Sequence, residues 1–144
     1  MSDLKYDKYV LTELKLPAHK QERETDYNRW AKHLLWLDDS VIEGASFVNT
    51  AWYFKPESNV ILAHTHDFDE VVGFFGTDPK NPYDLGGEIE FWLEDEKYLI
   101  QNSCLIYIPK GLQHCPEHVL RVDRPIFHVS LAGVTNYQRT DSKQ

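Results

Sequence analysis

An all-β fold, a single antiparallel barrel or sandwich, is what this sequence predicts, on three observations. Short runs rich in β-branched and aromatic residues recur from residue 46 to residue 131. Clusters of Pro, Gly, Asn and Asp separate them at regular intervals, and helical spacing is confined to one segment. Composition agrees. A chain of 144 residues is most simply one domain, long enough to bury a core, and 42% hydrophobic with 13% aromatic residues excludes disorder. A net charge of -8 argues against a nucleic-acid partner, which would want a basic face. No apolar run approaches a membrane span, so no membrane partner is expected. The charged first residues lack the apolar core of a signal peptide, and only Cys104 and Cys115 could pair, so no disulfide framework is implied and the expected compartment is cytoplasmic.

In chain order, residues 1–45 are expected to form an N-terminal arm and a short helix. The first 25 are highly charged and read as an extended arm or edge strand, with Tyr9, Val10 and Leu11 its best β segment, lying on a partner subunit. Over 27–37, Trp30, Leu34 and Leu37 recur at helical spacing and Asp26 is a suitable N-cap, which predicts a helix packed on the barrel; Trp30 and Trp36 are read as packing residues. Asp38, Asp39 and Ser40 make a solvated turn, and His19 and His33 are placed on the surface. The barrel proper is expected over 46–132. Residues 46–55 have strand composition, 56–59 a turn, and 60–66 a strand whose Val60, Leu62, His64 and His66 share one face. A strand over 70–75 follows, then a loop over 77–87, long enough for a rim or lid. Residues 88–93 alternate, with Ile89, Phe91 and Leu93 on one face. Strands over 98–100, 104–108, 119–122 and 126–131 complete the set, and residues 133–144 read as a polar tail.

Chemistry concentrates in two places, His64-Thr65-His66-Asp67-Phe68-Asp69-Glu70 and Pro109-Lys110-Gly111-Leu112-Gln113-His114. Two histidines at i and i+2 of a strand point the same way. Glu70 lies far enough beyond His66 for the chain to turn back, and a Pro-x-Gly turn would swing His114 towards the same centre. Three imidazoles and a carboxylate suit one divalent transition metal per chain, Fe, Mn, Ni, Co or Zn, with positions left open for substrate.

These segments resemble the paired motifs of the cupin superfamily. The first, G-x5-H-x-H-x(3,4)-E-x6-G, is matched by His64, His66, Glu70 and Gly76, with one residue fewer before the glycine. The second, G-x5-P-x-G-x2-H-x3-N, is matched by Pro109, Gly111 and His114. Ser58 and Ser103 stand where each motif opens with glycine, and His118 where the second closes with asparagine; all four ligand positions are intact. Over residues 46–132 the resemblance implies a single small jelly-roll barrel binding metal at His64, His66, Glu70 and His114, and a homodimer.

Further candidates surround these four. His128 is read either as an auxiliary acid or base facing the pocket or as a core histidine bonded to backbone or hydroxyl. His118 is a second auxiliary candidate with a rim position as its alternative, and Glu70 can accept a proton if it leaves the metal. Cys115 should point away from the metal and pack, and Cys104 belongs to the core. Tyr53, Trp92, Tyr98 and Tyr107 are candidates for a pocket wall. Arg121 and Arg124 could pair with an anionic substrate, but a charged hairpin rim is the simpler account. The function expected is that of a metal-dependent enzyme transforming a small oxygenated molecule (an enol, hydroxy-ketone, hydroxy-acid or catechol-like ring) by Lewis-acid chemistry, as lyase, hydrolase or isomerase, or by dioxygenation. The alternative is a non-catalytic module that binds or senses a small molecule through its metal.

Overall fold

The structure is a computed structural model that describes residues 4–141. After a single 3-10 turn at Asp7–Tyr9 come two four-residue helices, α1 (Ala18–Gln21) and α2 (Glu24–Tyr27). The strands that follow are β1 (Ala31–Leu37), β2 (Phe47–Tyr53), β3 (Glu57–Ile61), β4 (His64–Thr65), β5 (Glu70–Phe75), β6 (Asp84–Leu93), β7 (Glu96–Asn102), β8 (Cys104–Ile108), β9 (His114–Val122), β10 (Ile126–Ala132) and β11 (Thr140–Asp141). They form two antiparallel sheets. One runs β1-β2-β10-β5-β8; the other runs β11-β4-β9-β6-β7, with β3 also paired to β9. The sheets do not join into a closed barrel. They face each other as a jelly-roll-like sandwich whose core takes Ala51, Tyr53, Val72, Phe74, Ile108 and Ile126 from the first sheet. Leu85, Ile89, Phe91, Cys115 and Val119 come from the second.

The two conserved-spacing segments are tied together near their far ends. Ser103 Oγ accepts from Gly76 N at 2.8 Å and donates to Pro82 O at 2.7 Å, so the serine at the head of the second motif staples the glycine that ends the first. Gly76 cannot carry a side chain, because a Cβ there would lie 1.8 Å from Asp84 O.

Several expectations are corrected. The segment predicted as a helix over 27–37 is strand β1, and Asp26 does not cap it but lies within α2 and pairs with Arg29. The cause is a register shift between His33 and Leu35 against β2. Inward residues on β1 are Ala31, His33 and Trp36, so the Trp30, Leu34 and Leu37 spacing marks no single face, and Leu34 is 43% exposed. His33 is therefore buried, not on the surface. Tyr9, Val10 and Leu11 form no strand. The strand read over 60–66 is broken into β3 and β4, leaving Leu62 47% exposed. The turn read over 56–59 already contains the start of β3, and the loop read over 77–87 ends early because β6 begins at Asp84. That loop lines neither of the cavities described below. The polar tail contains β11, which pairs with β4 beside the histidines.

Candidate metal centre

His64 on β4, His66 just after it, Glu70 at the head of β5 and His114 at the head of β9 converge between the sheets. All four are buried, and one ligand atom from each lies within 4.8 Å of the others. β4 and β9 pair in register at His64 and His114, which places those two imidazole centroids 4.2 Å apart.

The backbone sets the tautomers. His64 Nδ1 donates to Leu62 O at 2.6 Å, His66 Nδ1 to Gln138 O at 2.6 Å, and His114 Nδ1 to Leu112 O at 3.0 Å. A carbonyl can only accept, so each ring carries its proton on Nδ1 and presents a bare Nε2 to the centre. Glu70 Oε1 lies 3.2 Å from both His66 Nε2 and His114 Nε2. The Nε2 atoms of His64 and His114 and the Oε1 of Glu70 have no hydrogen-bond donor. Lone pairs facing one another at this distance repel unless a proton or a cation lies between them. One divalent metal satisfies all four at once, and the donor set of three imidazoles and one carboxylate fits such an ion. Electrostatics agree with the geometry. Burial, aided by the other two imidazoles, lowers the His64 pKa to about 4.

A small chamber of about 20 Å³ lies against the cluster, lined by His64, Glu70, His114, Phe91, Cys115 and Glu117 among others. A larger cavity of about 350 Å³ extends from it towards α1 and α2, and Ile61, His128, Ser130 and Tyr137 border both. Two of the neighbours were not anticipated. Glu117 is fully buried, and neither carboxylate oxygen completes a hydrogen bond. Burial first, with Glu70 adding to it and the Tyr53 hydroxyl opposing, raises its pKa to about 8. Tyr137 donates its hydroxyl to His66 Nε2 at 2.9 Å, so it sits at a ligand atom of the cluster; burial pushes its own pKa up. No local signal marks Tyr137, which comes from the stretch read as a tail. Glu117 was missed because β9 changes phase: its register against β6 shifts between Phe91 and Leu93, and Cys115 has φ +70. After His114 the inward positions are therefore 117 and 119 instead of 116 and 118.

The same shift turns His118 outward. Its Nδ1 accepts from Asn59 N at 2.9 Å and its Nε2 lies 3.6 Å from Glu90, away from the cluster. His128 does face inward. Its Nδ1 donates to Gly73 O at 3.1 Å, its Nε2 lies 3.3 Å from the Ser130 hydroxyl, and burial lowers its pKa to about 4. Both readings of His128 thus meet, since a core histidine with satisfied nitrogens also lines both cavities. Of the pocket-wall candidates, Tyr53 lines the larger cavity. Trp92 and Tyr107 do not: Trp92 Nε1 bonds Glu90 at 3.0 Å on the outer face, and Tyr107 is 60% exposed beside Asp69. Tyr98 is exposed and bonded to Glu96. Arg121 is exposed and pairs with Asp123, and Arg124 pairs with Asp84, both on the rim away from the cluster. Cys115 is buried and, contrary to expectation, lines the chamber, while Cys104 packs at the core's edge. Among the described residues no helix is long and apolar enough to cross a membrane.

No family model and no curated protein matches the sequence. Solved structures do match in shape. A recombinant oxalate oxidase in complex with glycolate aligns at a TM-score of 0.58 and 15% identity over 96% of this chain; this chain spans 66% of that one. The polyketide cyclase RemF from Streptomyces resistomycificus aligns at 0.52 and 17% identity, covering 81% of this chain and 73% of its own. An uncharacterized conserved protein with a double-stranded β-helix domain from Klebsiella pneumoniae aligns at 0.50 and 13% identity, covering 78% and 82%. At these identities the likeness concerns the fold. With the paired motifs delivering three imidazoles and a carboxylate to one buried point inside that double-stranded β-helix, this chain has the cupin fold and a cupin-type metal-site cluster.

Proposed function

We propose that this protein is a metal-dependent enzyme that moves a proton on a small oxygenated substrate, an enol, hydroxy-ketone, hydroxy-acid or catechol-like compound, as a lyase, hydrolase or isomerase. The observation that carries this reading is Glu117, a fully buried carboxyl beside the Tyr53 hydroxyl, facing the chamber bounded by His64, Glu70 and His114. A site built only to hold a ligand has no need of a buried titratable group beside its metal, whereas proton transfer does.

His64, His66 and His114 through Nε2, and Glu70 through its carboxylate, would hold the metal. When bound it supplies Lewis acidity, lowering the pKa of a coordinated hydroxyl or of a carbon beside a carbonyl. The remaining steps belong to the chain. Glu117, kept protonated near neutral pH by its burial, can give its carboxyl proton and take one back. The Tyr137 hydroxyl, bonded to His66 Nε2 in this structure, is a second donor at the mouth of the chamber. His128 stays neutral and oriented by Gly73 O and Ser130. Val72, Phe91 and Ile61 line the chamber with apolar surface and limit water. The oxalate oxidase structure with glycolate is consistent with this, since that protein holds a small hydroxy-acid within the same fold.

Elemental analysis of protein purified without chelator, with oxygen uptake read on the same sample, tests the proposal. About one equivalent of transition metal per chain is expected, with no oxygen consumed on adding enolic or catecholic compounds. Iron with oxygen uptake would replace proton transfer by dioxygenation. Failure to hold any metal after reloading would leave a binding barrel. We also propose a homodimer, supported by the arm, where Tyr6, Tyr9 and Val10 are each more than half exposed. Light scattering at micromolar concentration should give twice the chain mass; a monomeric mass overturns it.

A further inference from the structure

We infer that the substrate carries an anionic group at the end away from the metal, and that Lys20, Arg23 and Arg139 receive it at the outer part of the larger cavity. This rests on the metal-centred reading for the chelating end of the substrate and on the cavity alone for the charged end.

Lys20 on α1 and Arg23 just before α2 line the larger cavity but not the chamber beside the cluster, so they mark its outer part, and Arg139 lies nearer, acting on both Lys20 and His64. The three cations are an exception in a chain of net charge -8. Two carboxylates share the opening, and both are already engaged: Arg139 Nε bonds Asp141 at 2.9 Å, and His33 Nδ1 donates to Glu24 at 2.6 Å. Among the described residues neither Lys20 nor Arg23 has an ion-pair partner within 4 Å. Lys20 is partly buried with its ammonium 5.9 Å from the centre of the Trp36 ring. Burial lowers its pKa, and the like charges of Arg139 and Arg23 lower it further, with Glu24 only partly offsetting them. Crowded, half-dehydrated cations are stabilised by an incoming oxyanion, and an arginine offers a planar fork for a carboxylate or phosphate. A cavity of about 350 Å³ admits a small molecule and not a polymer. A substrate that chelates through neighbouring oxygens at one end and ends in a charged group fits both features.

The test uses 2-hydroxy acids of increasing chain length that end either in a carboxylate or in the matching neutral carboxamide, with a phosphate-ended set beside them. Each is titrated calorimetrically into metal-reloaded protein at constant ionic strength. At the length that spans the cavity, an anionic end should bind at least about tenfold tighter than the amide. Whichever of carboxylate and phosphate shows the larger gain identifies the oxyanion. In the double variant Lys20→Met, Arg23→Met, whose changes lie outside the core, the gain should fall to about twofold or less. The control Lys15→Met, exposed and off the cavity, should keep it. Equal binding of charged and neutral ends, a preference that survives the double variant, or no binding by any compound overturns the inference. Metal content measured on the same samples separates the two readings. A preference without metal keeps the cationic site and loses the enzyme; metal without a preference does the reverse.

Discussion

Replacing His64 or His114 with alanine is expected to lower bound metal from about one equivalent per chain to below about a tenth, while the β-sandwich stays folded. Both parts follow from the arrangement of lone pairs. Glu70 Oε1 lies 3.2 Å from the Nε2 atoms of both His66 and His114, and His64 Nε2 meets no hydrogen-bond donor among the described residues. Truncating one imidazole removes a ligand, which the metal cannot replace, because the other donors are fixed by backbone carbonyls at Leu62, Leu112 and Gln138. The same truncation relieves repulsion in the metal-free state, which offsets part of the cost of the small hole it leaves. A second readout follows by linkage. Metal at a hundred times its Kd stabilises the native state by about 2.7 kcal/mol, so chelation should lower the melting temperature of the parent protein by on the order of 10 °C and leave the variants nearly unmoved. Retention of stoichiometric metal by either variant would overturn the ligand assignment. A collapse of the far-ultraviolet spectrum would show that these residues hold the fold and would remove the argument from lone-pair repulsion.

What the sequence revealed and what it concealed divide along a physical line. The ligands were legible because spacing sets direction in a regular strand and because His64, His66, Glu70 and His114 fall at the intervals of a two-part motif. Errors arose where a strand was irregular. On β1 Trp30, Leu34 and Leu37 fall at helical spacing, while the shift between His33 and Leu35 turns Ala31, His33 and Trp36 inward instead. On β9 the shift after His114 exchanged the faces, so His118, read as an auxiliary candidate or a rim residue, points outward and Glu117 was not noticed. A bulge changes the phase of every residue after it, and nothing in composition announces it. Tyr137 escaped for a different reason. It reaches His66 across 71 residues of chain, a contact made by β11 pairing with β4 and marked by no local pattern. The cationic end of the larger cavity escaped likewise, since Lys20 and Arg23 belong to the arm while Arg139 comes from the far end of the chain.

Glu117 also leads to the second large effect: with metal removed, stability should peak near pH 7 and fall on both sides, and Glu117→Gln should abolish the alkaline fall. His33, His64 and His128 are buried neutral, each with a pKa lowered to about 4, chiefly by burial. An unfolded imidazole titrates near 6.5. Between these values the unfolded chain binds protons that the native protein refuses, so stability declines as the pH drops from about 6.5 to about 4. Each ring accounts for up to about 3 kcal/mol, enough together to threaten a fold of ordinary stability. Glu117 acts in the opposite sense. Its pKa is raised from 4.5 to about 8, so its contribution is complete below pH 4.5 and is lost as the pH rises through 8. From 4.5 to 6.5 the three imidazoles dominate and stability still increases. At pH 6.5 the unfolded imidazoles are still half protonated, so they go silent only above about pH 7.5, and from pH 7 to 9 the ionisation of Glu117 should remove about 1 kcal/mol on balance. Thermal melts in chelator across this range read both limbs. In Glu117→Gln the carboxamide keeps the shape of the side chain but has no proton to lose, so stability should not fall above pH 7, and the acid limb should steepen above pH 4.5, where Glu117 no longer opposes the imidazoles. A parent protein that shows no fall from pH 7 to 9, and so runs parallel to the variant there, would show that Glu117 is ionised at neutral pH. It could then accept a proton from a substrate but not donate one, and the direction of proton transfer assigned to it would have to be reversed.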